Sequence, residues 1–363
     1  MPAPLRVLIV KLSSLGDVVH SLPVVHDIRR AHPDAVVDWV VEPAFAPLVR
    51  RVVGIGRVIE CPLRRWRKAW WQRRTLREAS ALRAQLGAEP YDAIIDLQGL
   101  TKSAVVARLA RGPRWGLARA TEGSSHEEPA RWLVDHAVSI TPLRIHALDR
   151  SRQLVARALQ LPADVAQAPP RSNLVLRPPA SRREEAPMVV FVHGSSRDDK
   201  RWPHDLWVAL GKRILAAGWR IAMPQASEDE QTRAEMMAAA LQFERAPLVE
   251  VWPTLPLERV LDQMATARGV IGVDSGLSHL AVALNLPHVQ LYNFPTSWRT
   301  GPLVAHGNRH QVAVEGSPTP TLDAVWQAWQ QVVPVASSVT ESAVGFRARP
   351  LDEWPASGAR RLT

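Results

Sequence analysis

The chain has 363 residues, 46% of them apolar and 22% charged, with a formal net charge of +10 and a single cysteine, Cys61. That length accommodates two ordinary domains, and one thiol excludes an internal disulfide or a thiolate metal cluster built by one chain. No apolar run of about 18 residues or more is present and Met1 to Arg6 leads straight into a strand pattern, so the expectation is a cytoplasmic protein without a cleaved leader or a membrane span. Arginine dominates the positive charge, with lysine only at Lys11, Lys68, Lys102, Lys200 and Lys212. Such a balance favours an anionic partner: a phosphorylated ligand, nucleic acid or an anionic membrane face.

In chain order, short apolar runs at 6–10 (RVLIV), 36–41 (VVDWVV), 53–60 (VGIGRVIE) and 91–99 (YDAIIDLQG) predict buried strands. Between them, 17–32 (DVVHSLPVVHDIRRAH) and 73–86 (RRTLREASALRAQL) carry helical periodicity. Residues 112–139 are expected to be loops and short elements. From 161 the chain turns rich in proline, serine and charge, so 166–187 is expected to be a linker, with one extended segment at 173–176 (NLVL). Strands are then predicted at 188–194, 220–224, 248–252, 269–273 and 288–292. Helices are predicted at 204–218, 228–241, 257–267, 277–284 and 321–333. Residues 334–363 lack sustained periodicity and are expected to form a flexible tail.

This alternation predicts an α/β protein of two Rossmann-like, doubly wound domains, 1–165 and 188–333, facing each other across a deep cleft. Sites in such sheets lie outside the carboxyl ends of the strands. The first strand-end loop, 12–17 (LSSLGD), places a carboxylate where dinucleotide-binding folds place glycines, and the missing G-x-G-x-x-G argues against a dehydrogenase. Asp17 has two readings: an acid capping the first turn of a helix, or a general base facing the cleft. In the second half, HGSSRDDKRWP offers the hydroxyls of Ser195 and Ser196 and the ammonium of Lys200. VDSGLSHLAVAL runs through Asp274, Ser275 and Gly276 into a helix whose N-terminus favours an anion. The plainer readings are a solvated ion pair at Lys200 and an ordinary cap at Asp274 or Ser275.

A third feature is 61–74 (CPLRRWRKAWWQRR), which sets Arg64, Arg65, Arg67, Lys68, Arg73 and Arg74 around Trp66, Trp70 and Trp71. Tryptophan among cations suits a membrane surface; the arginines suit phosphate or carboxylate; the pattern also suits stacked nucleic-acid bases or a solvated basic helix face.

Together these segments resemble a known family. VLIVKLSSLGDVVHSLP, RRWRKAWW, YDAIIDLQGLTKSA, RDDKRWP and VDSGLSHLAVAL appear in the order and roughly the spacing of the lipopolysaccharide heptosyltransferases, glycosyltransferase family 9, over about residues 5–333. RRWRKAW and RDDK-x-WP are most similar to the branch that adds the first heptose. The resemblance implies a GT-B fold and an inverting transfer without cofactor or metal. It implies ADP-L-glycero-β-D-manno-heptose as donor and the inner Kdo of Kdo2-lipid A as acceptor. It further implies a monomer held peripherally at the cytoplasmic face of the inner membrane, with no nucleic-acid partner.

By match to the family's motifs, Asp17 is the implied base, and Ser195, Ser196 and Lys200 are implied to hold the diphosphate. Glu230 matches a nucleoside contact, although alone it reads equally as the start of a solvated helix. Asp274, Ser275, Gly276, Leu277 and His279 match the donor loop, and Leu255 falls near the adenine. Arg64, Arg65, Arg67 and Lys68 are implied to meet the Kdo and lipid A anions. Two departures stand out: Ser195 and Ser196 replace threonines of some relatives, and Glu127 stands where relatives can carry an arginine, which leaves acceptor contacts there open. The alternatives are a branch with another acceptor, such as the one adding the second heptose, and a non-catalytic nucleotide or nucleic-acid binder. A nucleic-acid binder would lose affinity steeply with salt and would not need Asp17.

Overall fold

The computed structural model describes residues 3–175, 186–245 and 248–333. The expected tail at 334–363 and part of the expected linker, 176–185, lie outside the described residues. The chain opens with β1 (Arg6–Val10), apolar at every position after Arg6 because helices cover both faces of the sheet. There follow α1 (Leu15–Ser21), α2 (Pro23–Ala31), β2 (Val36–Val41), α3 (Ala46–Val49), β3 (Ile55–Glu60), α4 (Leu63–Lys68) and α5 (Arg73–Gly87). The first half continues with β4 (Ala93–Asp96), α6 (Thr101–Ala107), β5 (Arg114–Leu117), α7 (Glu128–Trp132), β6 (His136–Val138), α8 (Ala147–Leu159) and α9 (Ala163–Ala166). Its six strands are parallel, in the order β3-β2-β1-β4-β5-β6.

The second half runs β7 (Met188–Val192), α10 (His204–Ala216), β8 (Arg220–Met223), α11 (Glu228–Arg245), β9 (Val249–Val251), α12 (Leu257–Met264) and β10 (Gly269–Val273). It ends with α13 (Gly276–Ala283), β11 (His288–Tyr292), α14 (Ser297–Thr300), β12 (Gln311–Glu315) and α15 (Leu322–Val332). These strands form a second parallel sheet, β12-β11-β10-β7-β8-β9. In each sheet strand addition reverses beside the first strand: β1 lies between β2 and β4, and β7 between β8 and β10. A crevice opens outside the carboxyl ends at such a reversal, and the loops after β1, β4, β7 and β10 leave from it.

Several elements depart from the sequence expectation for physical reasons. The helix predicted over 17–32 is two helices, because proline lacks an N–H and clashes with the preceding turn, so Pro23 opens α2 instead of continuing α1. Strands β5 and β6 arise within 112–139; four and three residues are too few to show a period. No element is predicted above for α8 or β12. On α8 the buried residues include Arg150, Ser151 and Arg152, which interrupt the apolar stripe. The buried Arg152 is matched by Asp27 on α2, Nε to Oδ2 at 2.6 Å; removing one partner of such a pair costs about 3–5 kcal/mol. Residues 173–175 do run extended: Val53 N–H donates to Asn173 O at 3.0 Å and Val175 N–H to Arg51 O at 2.7 Å.

The two halves meet through packed apolar surface, since one cluster joins Val18 and Leu22 to Val192, Leu261 and Leu280. The first turns of α1 and α13 touch. A Cβ on Gly16 would stand 2.5 Å from the His279 ring, and one on Gly276 would stand 2.9 Å from Leu15. On another part of the junction Arg51 donates to both Asp262 oxygens at 2.5 and 3.0 Å.

Candidate active site

The facing loops enclose a cavity of about 670 Å³. From the first half, residues 13–17 reach it as the start of α1, because Ser14 caps that helix and Asp17 sits three positions on. Asp17 Oδ2 accepts from the Ser14 N–H at 3.1 Å and from its hydroxyl at 2.8 Å. Its other oxygen lies 3.8 Å from Lys11 Nζ. Burial pushes the Asp17 carboxyl upward, but Lys11, the Ser14 hydrogen bonds and Arg150 outweigh it and hold it below the usual range. Lys11 is itself buried and donates to Leu97 O at 3.1 Å. The loop is pinned from β4: Gln98 Oε1 accepts from Leu12 N–H at 2.8 Å and from Ser13 N–H at 3.3 Å. Beneath it, burial raises the Asp96 carboxyl to about 6, even though Gln98, Ser103 and Gly99 donate to it.

In the second half the organising group is Asp274, buried at the end of β10. Lys200 Nζ donates to its Oδ2 at 2.6 Å, and His279 Nε2 lies 3.3 Å from its Oδ1. Burial would raise this carboxyl, but the His279 and Lys200 contacts overcome it and hold it far below the usual carboxylate range. The Ser275 hydroxyl at the head of α13 is buried and has no hydrogen-bond partner among the described residues. Glu230 Oε2 accepts from Ala226 N–H at 2.8 Å, while its Oε1 lies so near Gly194 that a Cβ there would stand 2.3 Å away. An anion arriving here meets Lys200, the free N–H groups of the α13 terminus and two serine hydroxyls.

Of the residues singled out from the sequence, Asp17, Ser195, Ser196, Lys200, Glu230, Asp274, Ser275, Gly276, Leu277 and His279 all line this one cavity. Leu255 does not; it is half-buried against the apolar junction. Arg64, Arg65, Arg67 and Lys68 also lie outside the cavity lining. Arg64 stacks its guanidinium 5.7 Å from the centre of the Phe45 ring, and Arg65 pairs with Glu78 at 2.5 Å. The cavity is lined instead by cations that sequence reasoning missed: Lys11, Lys102, Arg150, Arg197 and Arg299. Arg150 is buried and donates to Thr121 Oγ1 at 3.1 Å, while Arg299 crosses from the second half to donate to Gly123 O at 3.1 Å. The strand-end lysine at 11 was visible as the last residue of an apolar run; nothing local marked Arg150 or Arg299.

Two doubly wound parallel sheets whose strand-end loops face each other across one cleft, Asp17 on one side and Lys200 with the head of α13 on the other, define a GT-B architecture. A family model described as Glycosyltransferase family 9 (heptosyltransferase) matches residues 79–325. The chain is 39% identical over 294 residues to lipopolysaccharide heptosyltransferase 1 of Escherichia coli K12, covering 79% of this chain and 88% of that protein. It is 37% identical over 294 residues to lipopolysaccharide heptosyltransferase 1 of Pseudomonas aeruginosa, covering 81% and 79%. The solved structure of E. coli heptosyltransferase WaaC with ADP superposes with a TM-score of 0.78 at 33% identity, over 91% of this chain and 100% of that one. The chain belongs to glycosyltransferase family 9, the heptosyltransferases.

Proposed function

We propose that this chain is the inverting glycosyltransferase that moves L-glycero-D-manno-heptose from ADP-heptose to the inner Kdo of Kdo2-lipid A. The observation that carries this reading is the cavity itself: an ionised carboxylate, Asp17, faces Lys200, Ser275 and Gly276 across a cleft in a chain 39% and 37% identical to the heptosyltransferase 1 proteins of Escherichia coli K12 and Pseudomonas aeruginosa. To the heptosyltransferase 2 of E. coli the identity is 26%.

In this reading the second half grips the donor. Ser195, Ser196, Lys200 and the α13 terminus take the diphosphate; Glu230 takes the ribose hydroxyls; Leu255 stands on the adenine side. Asp17 accepts the proton of the attacking Kdo hydroxyl as that oxygen bonds to the anomeric carbon. The bond from that carbon to the ADP oxygen breaks, and the charge growing on ADP is met by Lys200 and the N–H groups of α13. Attack from the face opposite the leaving group inverts the sugar. These groups neutralise the leaving group themselves, so the reaction is expected to proceed without a metal. Arg67 and Lys68, with Arg64 and Arg65 behind them, meet the acceptor's outer anions, and Lys102 and Arg150 meet those that enter the cleft.

Among the described residues no helix is long and apolar enough to cross a membrane. The lipid acceptor therefore brings this enzyme, acting as a monomer and without nucleic acid, to the cytoplasmic face of the inner membrane as a peripheral protein. The test is ADP release from ADP-heptose with and without Kdo2-lipid A, in excess EDTA. Acceptor-dependent release is expected. Release only with an acceptor that already carries heptose would overturn the first-heptose assignment, and none with any Kdo acceptor would overturn the transferase reading.

A further inference from the structure

The basic tryptophan segment divides into an inner and an outer part. Trp66 is buried and donates to Glu78 Oε2 at 2.8 Å. Arg65 and Arg74 bind the same carboxylate at 2.5 and 2.9 Å. Trp66 first, then Arg74 and Arg65, pull Glu78 down to about 2, so it stays ionised and locks α4 to α5. Held out by this lock, Trp70 is 68% exposed and Trp71 63%, their rings perpendicular with centroids 6.0 Å apart. Leu76 is exposed beside them in sequence. Arg67, Lys68, Arg73 and Arg77 are exposed and make no ion pair among the described residues. Positions 64–77 contain no acid.

Two adjacent indoles left in water on a rigid mount mark an interaction surface rather than a stray exposed residue. Perpendicular rings cannot serve as parallel platforms for successive bases of one strand, which disfavours nucleic acid. Indoles ringed by unpaired cations fit the headgroup layer of an anionic bilayer, where the ring sits at the polar-apolar boundary and each cation meets lipid phosphate. The placement is suitable as well. Strand β3 is the outer strand, two from β1, and all strands are parallel. The segment therefore leaves the same edge of the sheet as the Asp17 loop, on the order of 10 Å to its side at a strand spacing of about 4.8 Å.

We infer that Trp70 and Trp71 seat this protein on an anionic bilayer, with Arg73 and Arg77 on its phosphates, and so hold the cleft against the surface that displays the acceptor. The inference rests on the lipid-linked acceptor of the proposed function and adds the segment that meets the membrane. It is tested with the full chain by flotation with phosphatidylglycerol-containing vesicles and with pure phosphatidylcholine vesicles. The wild type binds the anionic vesicles. Trp70→Ser with Trp71→Ser weakens that binding on the order of tenfold, and Arg73→Gln with Arg77→Gln weakens it about fivefold per charge.

Both double variants keep turnover on deacylated, soluble acceptor within about twofold, because neither pair touches it, yet lose turnover on Kdo2-lipid A presented in anionic vesicles. Equal vesicle binding by wild type and the tryptophan variant overturns the inference. So does an equal loss on the soluble acceptor, which would move the pair into the acceptor site, or a dimer in sedimentation that the substitutions dissolve while vesicle binding persists. Inactivity of the wild type on every acceptor would sink the transferase reading, while the vesicle result would still stand or fall on its own.

Discussion

The two walls of the cleft are built as mirror images in charge. On the first, a buried lysine steadies a half-exposed carboxylate: Lys11 is 4% exposed in its side chain, Asp17 44%, and they lie 3.8 Å apart. On the second, a buried carboxylate steadies a more exposed lysine: Asp274 is 5% exposed, Lys200 21%, at 2.6 Å. In the first pair the buried lysine favours the ionised form of Asp17; in the second the buried carboxylate accepts a hydrogen bond from Lys200 Nζ and so fixes its direction. A base must be unprotonated to act, and a diphosphate anchor must be charged and aimed. In the proposed mechanism Asp17 is that base and Lys200 that anchor, and each is held by its partner before any ligand arrives.

The sharpest way to break this symmetry is to remove the reacting member of the first pair. Asp17→Asn keeps the size and the Ser14 contacts, so turnover is expected to fall about 10²–10⁴-fold while ADP affinity stays within about twofold by calorimetry. Retained turnover would return Asp17 to a helix cap. On the second wall, Lys200→Ala removes a charge-assisted contact and is expected to weaken ADP binding about 10–100-fold. Unchanged affinity would take Lys200 out of the diphosphate site.

Removing a buried member tests the subtler half of the comparison. Lys11→Met keeps the aliphatic bulk and deletes the charge that favours the Asp17 carboxylate. Asp17 has a depressed pKa, so activity is present above it and lost as pH falls through it. In Lys11→Met the acid limb of kcat/KM is expected to move up by about one pH unit. An unmoved limb would mean that Ser14 and Arg150 alone set the ionisation of Asp17.

That experiment requires the acid loss of the base to be separated from the acid loss of the fold. Burial holds His288 down to about 4 against the opposing hydrogen bond to Val270 O, and it holds His193 down to about 4 as well. The unfolded chain takes up these protons below about 6.5, whereas the folded chain refuses them until about 4. The stability from each neutral ring is therefore complete above about 6.5 and declines as pH falls, by about 1.4 kcal/mol per pH unit and per histidine. His288→Gln should remove one such slope in urea titrations between those limits and leave the kcat/KM limb in place. An unchanged slope would exclude His288 as a source of the decline.

Much of the fold was legible in the chain because a buried parallel strand must be apolar on both faces. The runs at β1, β7 and β10 show this directly. What escaped notice had weak or contradictory periodicity: the three-residue β6, and α8 with its buried arginines. Asp17, Lys200 and the Asp274–His279 loop were legible as cavity-lining candidates because strand-end loops running into helices are where such sheets bind ligands.

The sequence by itself determined the two doubly wound halves, the family and the loops that carry the site, since these depend on local burial and on residues close together in the chain. Only the tertiary structure decided which charges work together. Lys200 and Asp274 are 74 positions apart, and the cation lining the first wall from α8, Arg150, is more than a hundred from Asp17. The structure likewise decided that Arg65 and Trp66 turn inward to Glu78 while Trp70 and Trp71 turn out. Periodicity records which side of an element is covered; it holds no record of the distant partner that covers it, and ionisation depends on that partner.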